Sequence, residues 1–166
     1  MLVENYPNNP SFHNLPVLIT SLSPEETINA GRSFSAYLGE GDIVAFRGIL
    51  GAGKTCFIKG IALGLGITEE VTSPTYTIIS EYEVFLTGKT HMCAKSIPFY
   101  HVDAYRLEGN DDFSAIGGDE IVFGKGISVI EWSERIPNFI PPGAFKVDIE
   151  IKQNQKRLIH IYRELP

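Results

Sequence analysis

The chain has 166 residues, 43% hydrophobic and 20% charged, with a formal net charge of −6. A chain of this length suits one domain that buries about 70% of its unfolded surface. The acidic balance and the lack of any Lys/Arg run argue against unaided gripping of nucleic acid, because phosphate neutralisation supplies most of that affinity. The two cysteines, Cys56 and Cys93, offer neither a disulfide framework nor metal-ligand spacing. No signal-peptide pattern and no apolar stretch near ~20 residues is visible. The expected compartment is therefore a reducing cytoplasm.

In chain order, residues 1–15 read as an irregular arm, and 16–166 as one domain. Pro16–Thr20 predicts a short strand. Ser23-Pro24-Glu25-Glu26 predicts a helix start, with Ser23 as N-cap, Pro24 at the first helical position and Glu26 completing a capping box. Ile28, Phe34 and Leu38 supply its apolar face, and Gly39 or Gly41 its end. Ile43–Phe46 predicts a strand. Phe57, Ile61 and Leu65, with Ile58 and Ala62 beside them, predict a helix burying a broad stripe and closed by Gly66. Gly60 and Gly64 cost that helix roughly 1 kcal/mol each relative to Ala, which points to close packing there.

Val71–Thr75 reads as a rigid polar turn, Tyr76–Val84 as a strand, 86–97 as a hairpin tip or surface loop, and Pro98–Asp103 as a further strand. Asp111–Ile116 predicts a short helix, Gly117–Asp119 a loop, Gly126–Glu131 a strand and Trp132–Ile136 a helical turn. Phe145–Ile151 and Leu158–Tyr162 alternate in hydrophobicity and predict a closing β-hairpin. Strands interleaved with helices predict an α/β fold of three layers, a mostly parallel central sheet covered on both faces, with the antiparallel hairpin at its C-terminal end.

Between the Ile43–Phe46 strand and the following helix lies Gly48-Ile49-Leu50-Gly51-Ala52-Gly53-Lys54-Thr55. This G-x-x-x-x-G-K-T, in the order strand, loop, helix, is the pattern of a nucleotide phosphate-binding loop, the mark of a P-loop NTPase. Glycines let successive backbone N–H groups turn toward phosphate oxygens without Cβ clashes. Lys54 carries positive charge to the β- and γ-phosphates, Thr55 offers a hydroxyl to Mg²⁺, and the helix start adds its partial positive charge. Gly48, Gly51, Ala52, Gly53, Lys54, Thr55 and Cys56 are thus the expected nucleotide-binding positions.

Two apolar runs end in a carboxylate, at Asp103 and at Glu131. Ligands of open α/β sheets bind beyond the carboxyl ends of the strands. If both strands run parallel to Ile43–Phe46, these acids emerge on the same rim as Lys54 and Thr55. Nucleotide hydrolysis uses one carboxylate to hold Mg²⁺ and another to orient or deprotonate the attacking water. The plainer reading is that each simply ends a strand.

Gly48–Thr55, Thr72-Ser73-Pro74-Thr75-Tyr76-Thr77, His101-Val102-Asp103-Ala104-Tyr105-Arg106-Leu107 and Glu131-Trp132 with Glu134-Arg135 occur here in the order and spacing of the bacterial TsaE (YjeE) proteins. The chain resembles that family, small ATPases of tRNA threonylcarbamoyladenosine synthesis, over roughly residues 17–163. The resemblance implies ATP phosphates at Gly51–Thr55, Mg²⁺ on Thr55 and Glu131, and Asp103 as the hydrolytic carboxylate. It further implies a switch-like loop at Ser73-Pro74-Thr75, with Thr75 sensing the γ-phosphate, and Trp132 packed beside the site to position Glu131. The implied partners are a TsaD-like transferase, which owns the transfer chemistry, and its TsaB-like companion. Family loops commonly read Gly-Asp-Leu-Gly where this chain has Gly48-Ile49-Leu50-Gly51, and the segment between Tyr82 and Pro98 is longer than usual.

Other residues carry two readings each. His101 either orients the site or is a core histidine. Cys56 is a small packing residue, or a reactive thiol beside the phosphates. Arg106 pairs with Asp103, meets a partner or reaches phosphate. Lys156 and Arg157 approach the base or ribose, or form a solvated turn. Rival functions are a small-molecule P-loop kinase, for which no arginine-bearing lid helix is visible, and a nucleotide-gated assembly factor with incidental hydrolysis. No N-K-x-D guanine signal appears, which disfavours a GTPase.

Overall fold

The computed structural model describes residues 3–4, 12, 14–86 and 95–164. It contains β1 (Val3–Glu4), β2 (Val17–Ser21), α1 (Pro24–Phe34), β3 (Ile43–Arg47), α2 (Lys54–Gly64), β4 (Ile79–Leu86) and β5 (Lys95–Asp103). α3 (Asn110–Ala115), α4 (Gly118–Val122), β6 (Ile127–Glu131), β7 (Phe145–Ile151) and β8 (Arg157–Arg163) follow. The strands form one mixed sheet in the order β1-β2-β8-β7-β3-β6-β5-β4. Its middle, β7-β3-β6-β5, is parallel. The flanks are largely antiparallel, with β4 against β5 on one side and β8 between β7 and β2 on the other.

Strand alternation divides the core in two. Val44, Phe46, Val129 and Val147 face α1 and α2, where they join Phe34, Phe57, Ile58 and Ile61. Ile43, Val102 and Ile130 point the other way, onto Phe113 of α3, Val122 of α4 and Phe139. Helices therefore cover both faces of the parallel middle, which is why its strands are continuously apolar. The run 43–46 and all of β6 are buried.

The start of α1 follows the sequence signal with one shift. Ser23 Oγ accepts from Glu26 N–H at 3.2 Å, but the Glu26 carboxylate reaches back to Leu22 N–H at 2.7 Å rather than to the cap residue itself. The two glycines of α2 do mark close packing. A Cβ on Gly60 would lie 2.0 Å from Ile28 O, and one on Gly64 2.0 Å from Ser35 Oγ. Gly31 of α1 reciprocates, its Cβ position being 2.1 Å from Phe57 O. These contacts fix α2, and with it the phosphate loop, against α1.

Three local expectations are corrected. The strand predicted from Tyr76 starts only at Ile79, because Ile78 takes a left-handed backbone (φ 68°) and its N–H closes a turn onto Pro74 O at 2.6 Å. Gly117–Asp119 is not a loop throughout: Gly117 turns the chain at φ 86° and α4 begins at Gly118. From the stretch read as an irregular arm, Val3–Glu4 pairs with β2 and Phe12 is buried edge-on against Phe34 at 5.2 Å between ring centres. Most of the expected loop at 86–97 lies outside the described residues. Among those residues no helix is long and apolar enough to cross a membrane.

Candidate nucleotide site

Parallel pairing decides the geometry of the site. β3 aligns Phe46 with Glu131 of β6, and β6 aligns Glu131 with Asp103 of β5. Both carboxylates therefore leave the sheet at the rim where β3 runs into the phosphate loop. A cavity of about 340 Å³ opens there, bounded by the loop, Ser73, Thr75, Asp103, Glu131 and Trp132.

The loop has the backbone its glycines permit. Gly48 (φ 147°) passes so close to β7 that a Cβ would sit 2.5 Å from Ile149 O. Gly53 (φ 111°) caps α2 without any side-chain bond, which leaves the first N–H groups of the helix free to meet an anion. Ala52 is buried beneath the loop, whereas Leu50 is 78% exposed at its tip and Ile49, at the position of the family's usual Asp, is exposed as well. Gly51 (φ 76°) and Cys56, in the first turn of α2, line the same cavity.

Lys54 is only 4% exposed. Its ammonium donates to Gly48 O at 2.6 Å and Ile49 O at 3.2 Å, and lies 3.8 Å from the centre of the Trp132 ring. Burial holds it below the ordinary lysine value, against the opposing pull of Glu131, Glu134 and Asp103. An ammonium held by neutral carbonyls and a ring face can transfer to a polyphosphate.

Glu131 Oε1 accepts from the Thr55 hydroxyl at 2.7 Å, and His101 Nε2 lies 3.0 Å from the same oxygen. Asp103 is more heavily engaged. Its Oδ2 accepts from Ser73 Oγ at 2.6 Å and Thr75 Oγ1 at 2.8 Å, and its Oδ1 from Tyr105 N–H at 3.0 Å. Both hydroxyls of the Ser73-Pro74-Thr75 segment are thus tied to the carboxylate at the end of β5.

Nine of the ten residues expected at the site line this cavity; Gly48 does not, and meets it only through its carbonyl, which accepts from Lys54. Arg106 does not pair with Asp103: its guanidinium covers the Tyr76 ring at 4.5 Å, and among the described residues it makes no ion pair. Arg157 brings the β7–β8 turn to the loop, 3.4 Å from Gly51 O. Two contributions escaped sequence reasoning. The Tyr105 N–H bond is an Asx turn, legible in principle from an Asp ending a strand two residues before it. Trp132 lines the site, as the resemblance implies, but what escaped is that its ring lies beneath the Lys54 ammonium, on a residue with left-handed backbone (φ 58°).

A magnesium ion fits this donor set. Mg²⁺ keeps several waters and is usually bound through one or two protein groups plus substrate phosphates. The Thr55 hydroxyl and Glu131, already 2.7 Å apart, are such a pair. Among the described residues no cluster of three His, Cys, Asp or Glu forms a self-sufficient metal cage.

The family profile described as "Threonylcarbamoyl adenosine biosynthesis protein TsaE" matches residues 21–159. The TsaE protein of Treponema pallidum is 40% identical over 141 residues, 85% of this chain and 96% of that protein. The Bacillus subtilis TsaE is 37% identical over 139 residues, 84% of this chain and 80% of that one. Among solved structures, Bacillus subtilis YdiB superimposes with a TM-score of 0.70 at 31% identity, over 93% of this chain and 90% of that one. The phosphate loop and the Asp103 and Glu131 rim fall within the matched span, which ends inside β8, and the chain belongs to the TsaE family.

Proposed function

We propose that this chain is a P-loop NTPase that binds ATP with Mg²⁺ and hydrolyses it in the service of tRNA threonylcarbamoyladenosine modification. It acts in the cytoplasm on a transferase complex of TsaD-like and TsaB-like proteins. The observation that carries this reading is the shared rim: Lys54, Thr55, Asp103 and Glu131 around one cavity at the mouth of a phosphate loop. Family membership supports the pathway, and the net charge of −6 suits a component that meets proteins more than tRNA.

In this reading the free N–H groups at the start of α2 hold the phosphates. Lys54 leaves the Gly48 and Ile49 carbonyls for the β- and γ-oxygens, exchanging neutral acceptors for charged ones. Thr55 and Glu131 would hold Mg²⁺, which would supply charge neutralisation for the nucleotide phosphates. Asp103 orients the attacking water and takes its proton. It does so once Ser73 and Thr75 have released Oδ2, Thr75 turning to the γ-phosphate.

The test is phosphate release from ATP·Mg²⁺ by the full chain, with and without the TsaB-like and TsaD-like proteins, while following any phosphorylated acceptor. Release that depends on the partners is expected. A phosphorylated metabolite would instead indicate a kinase, and pathway support by an Asp103→Ala protein that no longer hydrolyses ATP would indicate an assembly factor.

A further inference from the structure

The proposed reaction leaves His101 without a task, although this histidine is completely buried beside the site. It lies on β5, paired with Val129, and faces α2 with its sheet neighbours Phe99 and Val129. Its Nε2 is 3.0 Å from Glu131 Oε1, while among the described residues Nδ1 has no hydrogen-bond partner. A histidine serving only to fill the core is poorly explained by this arrangement. An apolar side chain would fill the same space without burying an unpartnered ring nitrogen. Among the described residues Glu131 is the ring's one hydrogen-bond partner.

We infer that His101 is a positioning residue for Glu131: its Nε2–H pins Oε1 from the sheet side, holding the carboxylate where it can serve a divalent cation. Two donors from different elements converge on that single oxygen, Thr55 from α2 and His101 from β5. Oε2 carries neither. The Thr55 hydroxyl can give a lone pair to the cation and still donate its proton to Glu131, but that restraint is tied to the cation, whereas the bond from His101 is independent of it. His101 is not asked to move, because its ring is locked by complete burial. Outer donors of this kind fix the orientation of a metal-binding carboxylate, and their loss typically weakens metal affinity about 10–100-fold.

This inference rests on the proposed metal role of Glu131, and the experiment separates the two. Binding of a fluorescent ATP analogue to the full chain is titrated with Mg²⁺, and separately measured in EDTA. The variants are His101→Leu, His101→Met and His101→Gln, with Glu131→Gln as reference. Leu and Met remove the donor, and Met is a flexible filler should Leu fail to fold. The Gln amide restores an N–H at about the reach of Nε2.

Expected is an increase of about tenfold or more in the Mg²⁺ needed for half-saturation in the two apolar variants, with binding in EDTA unchanged. His101→Gln should return most of the way. Circular dichroism and thermal melting check that all variants fold. An unshifted Mg²⁺ titration in the apolar variants, beside a shifted one in Glu131→Gln, overturns the positioning role alone. No shift even in Glu131→Gln overturns the metal role beneath it. Equal losses of binding with and without Mg²⁺ in all three His101 variants, or failure of all three to fold, would make His101 a structural residue and overturn the inference too.

Discussion

The Thr55 hydroxyl donates to Glu131 Oε1 at 2.7 Å, joining the first turn of α2 to the last residue of β6 across 76 positions of sequence. The pair is assembled by the sheet, since β6 lies beside β3 and ends level with it. Loss of Thr55 should therefore act on magnesium-dependent turnover rather than on folding. Thr55→Ala and Lys54→Ala are expected to lower kcat by at least about 10²–10³-fold, the usual cost of one transition-state electrostatic group. Phosphate release under saturating ATP and Mg²⁺ measures this, and normal rates in either variant would defeat the assignment.

Asp103 is held by three donors, so its replacement separates binding from chemistry. Asp103→Asn keeps the shape and loses the proposed base. Turnover should fall about 10²–10⁴-fold, the range for a positioned general base, while ATP binding persists. A parallel loss of affinity measured by calorimetry would place Asp103 in binding instead.

Trp132 is the one tryptophan of the chain, and the Lys54 ammonium sits 3.8 Å from its ring centre. If polyphosphate draws Lys54 away, the indole loses its cation and its emission must change. Titration with ATP should alter the intrinsic fluorescence. The Lys54→Ala protein should start from a different emission and show little response. Identical responses from both proteins would mean that Lys54 stays on the ring.

Gly60 tests the seat of the phosphate-loop helix. Alanine is worth roughly 1 kcal/mol more than glycine in a helix interior. Here, however, its Cβ would meet the Ile28 carbonyl at 2.0 Å and the Arg32 nitrogen at 2.9 Å, both backbone atoms of α1. The clash wins, because neither atom can rotate aside. Gly60→Ala should destabilise by about 1–3 kcal/mol, as overpacking does, visible as a lower denaturation midpoint. Gly66→Ala, with nothing within 4 Å of its Cβ position, should lose stability only through its left-handed backbone (φ 83°).

Much of the site was legible in the sequence because its determinants are local. The phosphate loop needs glycines, one lysine and one threonine at fixed spacing between a strand and a helix, and each follows from backbone sterics or charge. Asp103 and Glu131 stood out because each ends an apolar run, and their convergence with Lys54 needed only that β5, β6 and β3 run parallel.

What remained depends on contacts between segments far apart in the chain, and those only the tertiary structure decided. Arg106 could equally have paired with Asp103 until the turn at Ile78 set the Tyr76 ring beneath it. His101 read first as a core histidine and second as a site residue, since alternation gives the face of a strand but not the neighbour across it. Pairing His101 with Val129 is what delivers Nε2 to Glu131. Spacing along the chain fixes which groups are available at the rim, and strand register fixes which of them touch.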